Sequence, residues 1–343
     1  MKNISFAVAL SLLLVGGISA SADEVTYAGP GGLYQELIKK TTFDPAKTKY
    51  GLTVNLDNIK SIADARMQVQ SGNPTWDIVE VPEQQCRSAE ADTLFENIDY
   101  SLVPNAADLP DNLKGKNWIG GFTRYAMVLV WNKKTYGDNP PSSWADFFDV
   151  EKFPGTRAMY NQPRMMAELT LLSDGVDKAK MYPLDVERAI HKMEGFRKNI
   201  TVFYETYGQA TQLLANGEID MMALTNGRAS AITSDYGQFA YTLNEGIADN
   251  GCLAILKGTK NREAAMKALN AFIDREFQAN IGAESTYGPV NPKAFEVGTI
   301  SAEKMEQLPT YQPVLEKMLL LDAGWWAKNE VDVVPRWLRM MQK

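Results

Sequence analysis

Apolar positions in this chain fall into short β-branched and aromatic runs separated by stretches with helical spacing. The most continuous run is 122–133, Phe-Thr-Arg-Tyr-Ala-Met-Val-Leu-Val-Trp-Asn-Lys. Too apolar for a surface strand, it predicts a buried strand that crosses between two lobes. The same unit stands on each side of it. Ile62, Ala65 and Val69 mark a helix stopped at Ser71-Gly72 before a buried strand at 76–81. Ala210, Leu213 and Leu214 mark another, stopped at Asn216-Gly217 before a strand at 220–224. Two copies of helix, glycine stop and buried strand predict two similar α/β lobes, not one long sheet.

The remaining pattern fills in around this frame. A first strand at 25–28 runs into Gly29-Pro30-Gly31-Gly32, after which Leu33, Leu37 and Ile38 are spaced like a helix face. Further strands are predicted at 52–56, 156–160 and 200–204, the last preceded by a helix with Val186, Ile190, Met193 and Phe196 on its apolar side. The final core strand is placed at 251–256. A helix then runs over 261–278 with Met266, Leu269, Phe272 and Ile273 on one side, and residues 318–340 read as helical packing around Trp325, Trp326 and Trp337.

Composition sets the compartment. Lys2, the apolar run 6–15 and the small-residue site Ala20-Ser21-Ala22 have the form of a cleavable export signal, so residues 1–22 are read as a leader and the chain as periplasmic. The formal net charge of −7, one unit more negative without Lys2, disfavours nucleic acid and anionic membranes as partners. Cys86 and Cys252 either pair or serve as two small buried hydrophobes; sequence spacing leaves both open. One histidine, His191, on a charged helix and no close cysteine pair argue against zinc chemistry.

Several segments, in order along the chain, resemble the periplasmic substrate-binding proteins of ABC importers, in the spermidine/putrescine-binding branch. They are Trp76-Asp77-Ile78-Val79, Ser143-Trp144-Ala145-Asp146-Phe147-Phe148, Phe153-Pro154-Gly155, Asn216-Gly217-Glu218, Asn226-Gly227, Leu253-Ala254-Ile255 and Tyr287-Gly288-Pro289-Val290-Asn291. The resemblance implies a two-lobed type II periplasmic binding protein-like fold, each lobe a mixed sheet flanked by helices, with the ligand in the interlobe cleft. It implies lobe 1 from 23–130 plus 251–297 and lobe 2 from 131–250 plus 298–343. The expected partners are a small amine-bearing solute and an inner-membrane ABC permease, the chain being monomeric, without cofactor and not an enzyme.

Ligands in open α/β sheets bind outside the carboxyl ends of strands. That rule selects Gly31, Gly32, Glu83 and Gln84 on the first lobe, and Asn161, Arg164, Glu205, Thr206, Tyr207, Thr225 and Arg228 on the second. Asp249, before the last strand, and Tyr287 and Trp326, at the chain's return, complete the set. Polyamine-binding proteins hold ammonium groups with carboxylates and the methylene chain between rings. Here Asn161-Gln162-Pro163-Arg164 lacks the paired acids of that pattern, Leu224-Thr225 replaces a tryptophan, and Asp249-Asn250-Gly251 departs from the aromatic and acid expected there. Arg164 and Arg228 instead suit a carboxylate, with Asp249, Glu205 or Glu83 taking an amine, which fits a zwitterion such as a γ-amino acid. A small carboxylate is the alternative ligand. A secreted hydrolase such as a carboxylate-pair glycosidase is the rival class, against which stands the absence of G-x-S-x-G and H-E-x-x-H motifs.

Overall fold

The computed structural model describes residues 23–342, so the leader read at 1–22 lies outside the described residues. The strands are β1 (Asp23–Gly29), β2 (Leu52–Asn58), β3 (Ile78–Pro82), β4 (Ile119–Asn132), β5 (Arg157–Tyr160), β6 (Val202–Tyr204), β7 (Met221–Thr225), β8 (Phe239–Ile255), β9 (Gly288–Pro289) and β10 (Leu319–Leu320). They join in the order β2-β1-β3-β8-β4-β7-β5-β6, with β10 on β8 and β9 on β4. This continuous order hides two lobes, because β4 and β8 change neighbours midway.

Antiparallel pairing of β4 with β8 runs from Ile119↔Leu253 to Asn132↔Phe239. At one end β8 leans on β3, with Ile78 opposite Ile255 and Pro82 opposite Gly251. At the other end β4 leans on β7, from Met127↔Thr225 to Trp131↔Met221. Both strands therefore pass from one lobe to the other near Arg124 and Asn250. The predicted strand at 251–256 is only the last third of β8. Asp249 and Asn250, expected just before that strand, lie within β8, because Arg164, Tyr125, Arg124 and Glu83 satisfy their side chains.

The repeated unit forms as its pattern predicts. Helices Ile62–Gln70 and Tyr207–Ala215 precede β3 and β7, and each is followed by a left-handed glycine, Gly72 at φ 70° and Gly217 at φ 71°. Separate apolar cores lie on either side of the crossing. Tyr27, Phe43, Phe122 and Phe272 pack in one. Trp144, Phe147, Phe153, Trp326 and Trp337 pack in the other. Burying such aromatic surface is the main force holding each lobe.

Two local expectations differ. The helix over 261–278 is two helices, Arg262–Phe272 and Arg275–Glu284. Asp274 breaks it by capping the Glu276 N–H at 2.8 Å while receiving Lys49 at 2.9 Å. Leu33, placed on an apolar helix face, is 76% exposed on the helix Gly32–Ile38, whereas Ile38 is buried. Cys86 and Cys252 form a disulfide that ties the short helix Glu83–Cys86 to β8. Among the described residues no helix is long and apolar enough to cross a membrane.

Candidate functional site

Where β4 and β8 leave the first lobe, their side chains and the loops at the strand ends converge on the interlobe cleft. Arg124 and Asn250 face each other across the β4/β8 ladder, and Arg124 Nε donates to Asn250 Oδ1 at 2.8 Å. Asn250 Nδ2 donates in turn to Glu83 Oε2 at 2.9 Å. The Nε bond to Asn250 is the only side-chain hydrogen bond of Arg124 among the described residues, so its terminal N–H groups remain uncommitted. Burial lowers the Arg124 pKa, while the nearby Glu83 and Asp249 charges oppose that shift.

Asp249 is fully enclosed and heavily committed. It pairs with Arg164 from the loop after β5, accepts the Tyr125 hydroxyl at 2.9 Å, and takes the Asn250 N–H at 2.9 Å. Met165, next to Arg164, is buried at φ 70°, a conformation that costs a side-chain-bearing residue about 1–3 kcal/mol and that recurs at functional loops. Asn161, at the start of this loop, has a buried Oδ1 without a partner among the described residues.

Aromatic rings line the cleft in two groups. Tyr160 and Tyr207 stack on the second lobe with centroids 5.4 Å apart. Tyr34 meets Tyr287 edge-on at 5.5 Å. The Tyr287 hydroxyl lies where a side chain at Gly227 would begin, so only glycine fits at that turn of the helix Asn226–Asp235. Burial pushes the Tyr287 phenol up, and the neighbouring Arg228 pulls it down. Arg228 itself is exposed and has no carboxylate partner among the described residues. Below Tyr34 the carboxyl of Glu80, on β3, accepts the Tyr34 hydroxyl at 2.8 Å and also that of Tyr27.

The residues selected from sequence separate into three groups. Arg164, Tyr207, Asp249 and Tyr287, with Arg228 at the rim, meet around the cleft. A second group does not join them. Glu83 is occupied by Arg87 at 2.6 Å as well as by Asn250. Thr206 caps its helix by accepting the Gln209 N–H at 3.2 Å, beside exposed Glu205, whose own N–H goes to Gln209 Oε1. Gly31, at φ 76°, donates its N–H to Gln35 Oε1 at 3.2 Å and leads with exposed Gly32 into the first helix. Thr225 is buried at the end of β7, and Gln84 is buried with an unpartnered Oε1. Trp326 forms the third group alone. It has no exposed surface and donates its indole N–H to Glu168 at 2.6 Å, so it packs the second lobe's core and does not line the cleft. The resemblance places a cleft ring here, but the helix Ala323–Met341 turns this face inward.

Arg124, Tyr34, Glu80, Tyr125 and Tyr160 were not selected. Glu80 carried a usable signal, a lone acid in the otherwise apolar run Ile-Val-Glu-Val. Arg124 carried a similar one inside the crossing strand.

Comparison with known proteins gives one consistent result. The family model described as bacterial extracellular solute-binding protein matches residues 41–310. The γ-aminobutyric acid-binding protein of Pseudomonas aeruginosa is 26% identical over 331 residues, 95% of this chain and 93% of that protein. The crystal structure of an ABC transporter substrate-binding protein from Bradyrhizobium japonicum USDA 110 is 39% identical with a TM-score of 0.90, covering 93% of this chain and 99% of that one. That of the binding protein MotA from A. tumefaciens B6 in complex with glucopine is 33% identical with a TM-score of 0.83, over the same shares of the two chains.

Proposed function

The chain belongs to the bacterial extracellular solute-binding protein family of ABC transporters, and on that premise we propose that it captures a small zwitterion bearing a carboxylate. γ-Aminobutyrate and glucopine are the ligands its relatives suggest. The carrying observation is the division of charge in the cleft. Its acids are already engaged, Asp249 by Arg164, Glu83 by Arg87 and Asn250, and Glu80 by two tyrosines. Arg124 and Arg228 keep donors free, and a guanidinium fork suits a carboxylate. The stacked rings of Tyr160 and Tyr207 and the Tyr34–Tyr287 pair offer faces to an ammonium. A polyamine, cationic at both ends, finds no free carboxylate cluster among the described residues of the cleft, which disfavours the polyamine ligand of the branch the sequence resembles.

Capture works by population shift: contacts to both lobes favour the closed form, which the permease then recognises. The export signal at 1–22, the periplasmic location, the monomeric state and the lobe limits 23–130 with 251–297 and 131–250 with 298–343 belong to the same reading. Calorimetry with γ-aminobutyrate, glucopine, putrescine, spermidine and dicarboxylates tests it. The expected result is binding of a zwitterion, weakened roughly 30- to 100-fold or more by Arg124→Met, the cost of removing one partner of a buried charge pair. Tight binding of a polyamine alone overturns the proposal.

A further inference from the structure

The carboxyl of Glu80 sits at the junction between the first lobe's core and the cleft. Ile78, on the same strand face, joins the core of Tyr27, Phe43 and Phe122, while Val79 and Val81 point into a second cluster behind the sheet. Backbone glycines make room for the acid. A Cβ at Gly121 of β4 would stand 3.0 Å from Glu80 Oε1, and one at Gly251 of β8 would stand 2.9 Å from it. Two strands thus leave a slot for a polar group inside a lobe built of rings. Its hydroxyl neighbours complete the slot, with Tyr27 from β1, Tyr34 from the helix Gly32–Ile38, and Thr123 Oγ1 at 3.3 Å from the Tyr34 oxygen.

We propose that Glu80 is a positioning residue of the ligand cleft, holding the Tyr34 ring against Tyr287 and so tying the first lobe's core to the second lobe's helix at Gly227. Tyr34 has two alternative acceptors, Glu80 and Thr123. While Glu80 is ionised, both tyrosines donate to it. Once Glu80 is protonated, one of its oxygens must donate, and the Tyr34 hydroxyl can turn its hydrogen to Thr123 instead. The ring then loses the charge-assisted bond that fixed its edge toward Tyr287. Burial pushes the Glu80 carboxyl up to about 7, against the opposing hydrogen bonds from Tyr27, Tyr34 and the Phe122 backbone, so this exchange falls near neutrality. No other ionisable side chain hydrogen-bonds to Glu80 among the described residues. Tyr27 and Tyr34 are themselves raised well above the usual phenol value, chiefly by burial. Arg124, on β4, and Glu83, just after β3, are turned toward Asn250, and Arg228 acts on Tyr287. His191 lies exposed on the helix Val186–Phe196 of the other lobe.

This inference rests on the reading of the cleft as a zwitterion site. It is tested by calorimetric titration of wild type, Glu80→Gln and Tyr34→Phe with γ-aminobutyrate and with glucopine between about pH 5 and pH 8. Wild type should bind roughly three- to tenfold more tightly at the upper end, the worth of one hydrogen bond, with an inflection near neutrality. Glu80→Gln and Tyr34→Phe should each flatten that inflection. Tyr34→Phe keeps the ring, so it answers the question even where Glu80→Gln folds poorly, and His191→Gln should leave the inflection in place. An inflection that survives in Tyr34→Phe, or a wild-type affinity constant with pH, overturns the role of Glu80 alone. Failure of wild type to bind either zwitterion at any pH overturns the ligand reading and this inference with it.

Discussion

The first lobe meets the cleft with acids that already have partners, whereas the second meets it with rings and cations that have capacity to spare. Glu80 and Glu83 are each held by at least two donors, and the short helix carrying Glu83 is stapled to β8 by Cys86–Cys252. Across the cleft, Arg228 has no carboxylate partner among the described residues, and Tyr160 and Tyr207 present half-buried faces. The difference separates two tasks. Groups fixed by buried hydrogen bonds make a rigid platform, because exchanging such bonds for water is costly. Exposed donors and ring faces can trade water for ligand at low cost, so the proposed zwitterion reading assigns selectivity to the second lobe and to Arg124 on the crossing.

Three experiments beyond those above sharpen or break this division. Trp326→Ala should have the largest effect, a loss of about 3–5 kcal/mol in unfolding free energy, because it empties a fully enclosed site and removes one of the two side-chain donors to Glu168, leaving only Tyr182. Ligand affinity of the folded fraction should change little. A large affinity loss without loss of stability would return Trp326 to the cleft.

The next effect is on the first lobe and depends on pH. Glu80 is raised by burial to about 7 from a usual value of 4.5, so its neutral form is the one that favours the fold. Its contribution is fully present below the unfolded value and is lost as pH rises through about 7. Relative to Glu80→Gln, wild type should therefore lose stability at up to roughly 1.4 kcal/mol for each pH unit within that window. Urea unfolding of both proteins on either side of the window checks this; parallel stabilities would mean that Glu80 stays ionised, and the platform would then owe its rigidity to something else.

Thr206→Ala should have the smallest effect, about 1 kcal/mol of stability from a lost helix cap, with affinity unchanged. A clear loss of affinity would show that this loop contacts ligand and does more than end a helix.

Legibility followed the scale of the interaction. The crossing strand and the two helix–glycine–strand units were readable because they depend on local periodicity and on glycines at left-handed positions. The site was readable only in part. The strand-end rule selects Arg164, and it reaches Asp249 only by starting the last strand at residue 251, whereas β8 contains Asp249. Tyr287 and Trp326 are expected from the resemblance, and the enclosure of Trp326 was not legible because a tryptophan's sequence neighbours do not say which helix face turns inward. Arg124 and Glu80 lie inside strands, where the strand-end rule does not look. Their value comes from partners far away in sequence, Asn250 and Tyr34.

By itself, then, the amino-acid sequence determined the fold class, the crossing and the supply of arginines and tyrosines, because these follow from spacing that each segment carries within itself. Only the tertiary structure decided which charges are spent and which are free. Whether Asp249 is a ligand's counter-ion or Arg164's depends on a contact between residues 85 positions apart. Such a contact depends on the folded geometry of two strands and a loop, and no local pattern encodes it.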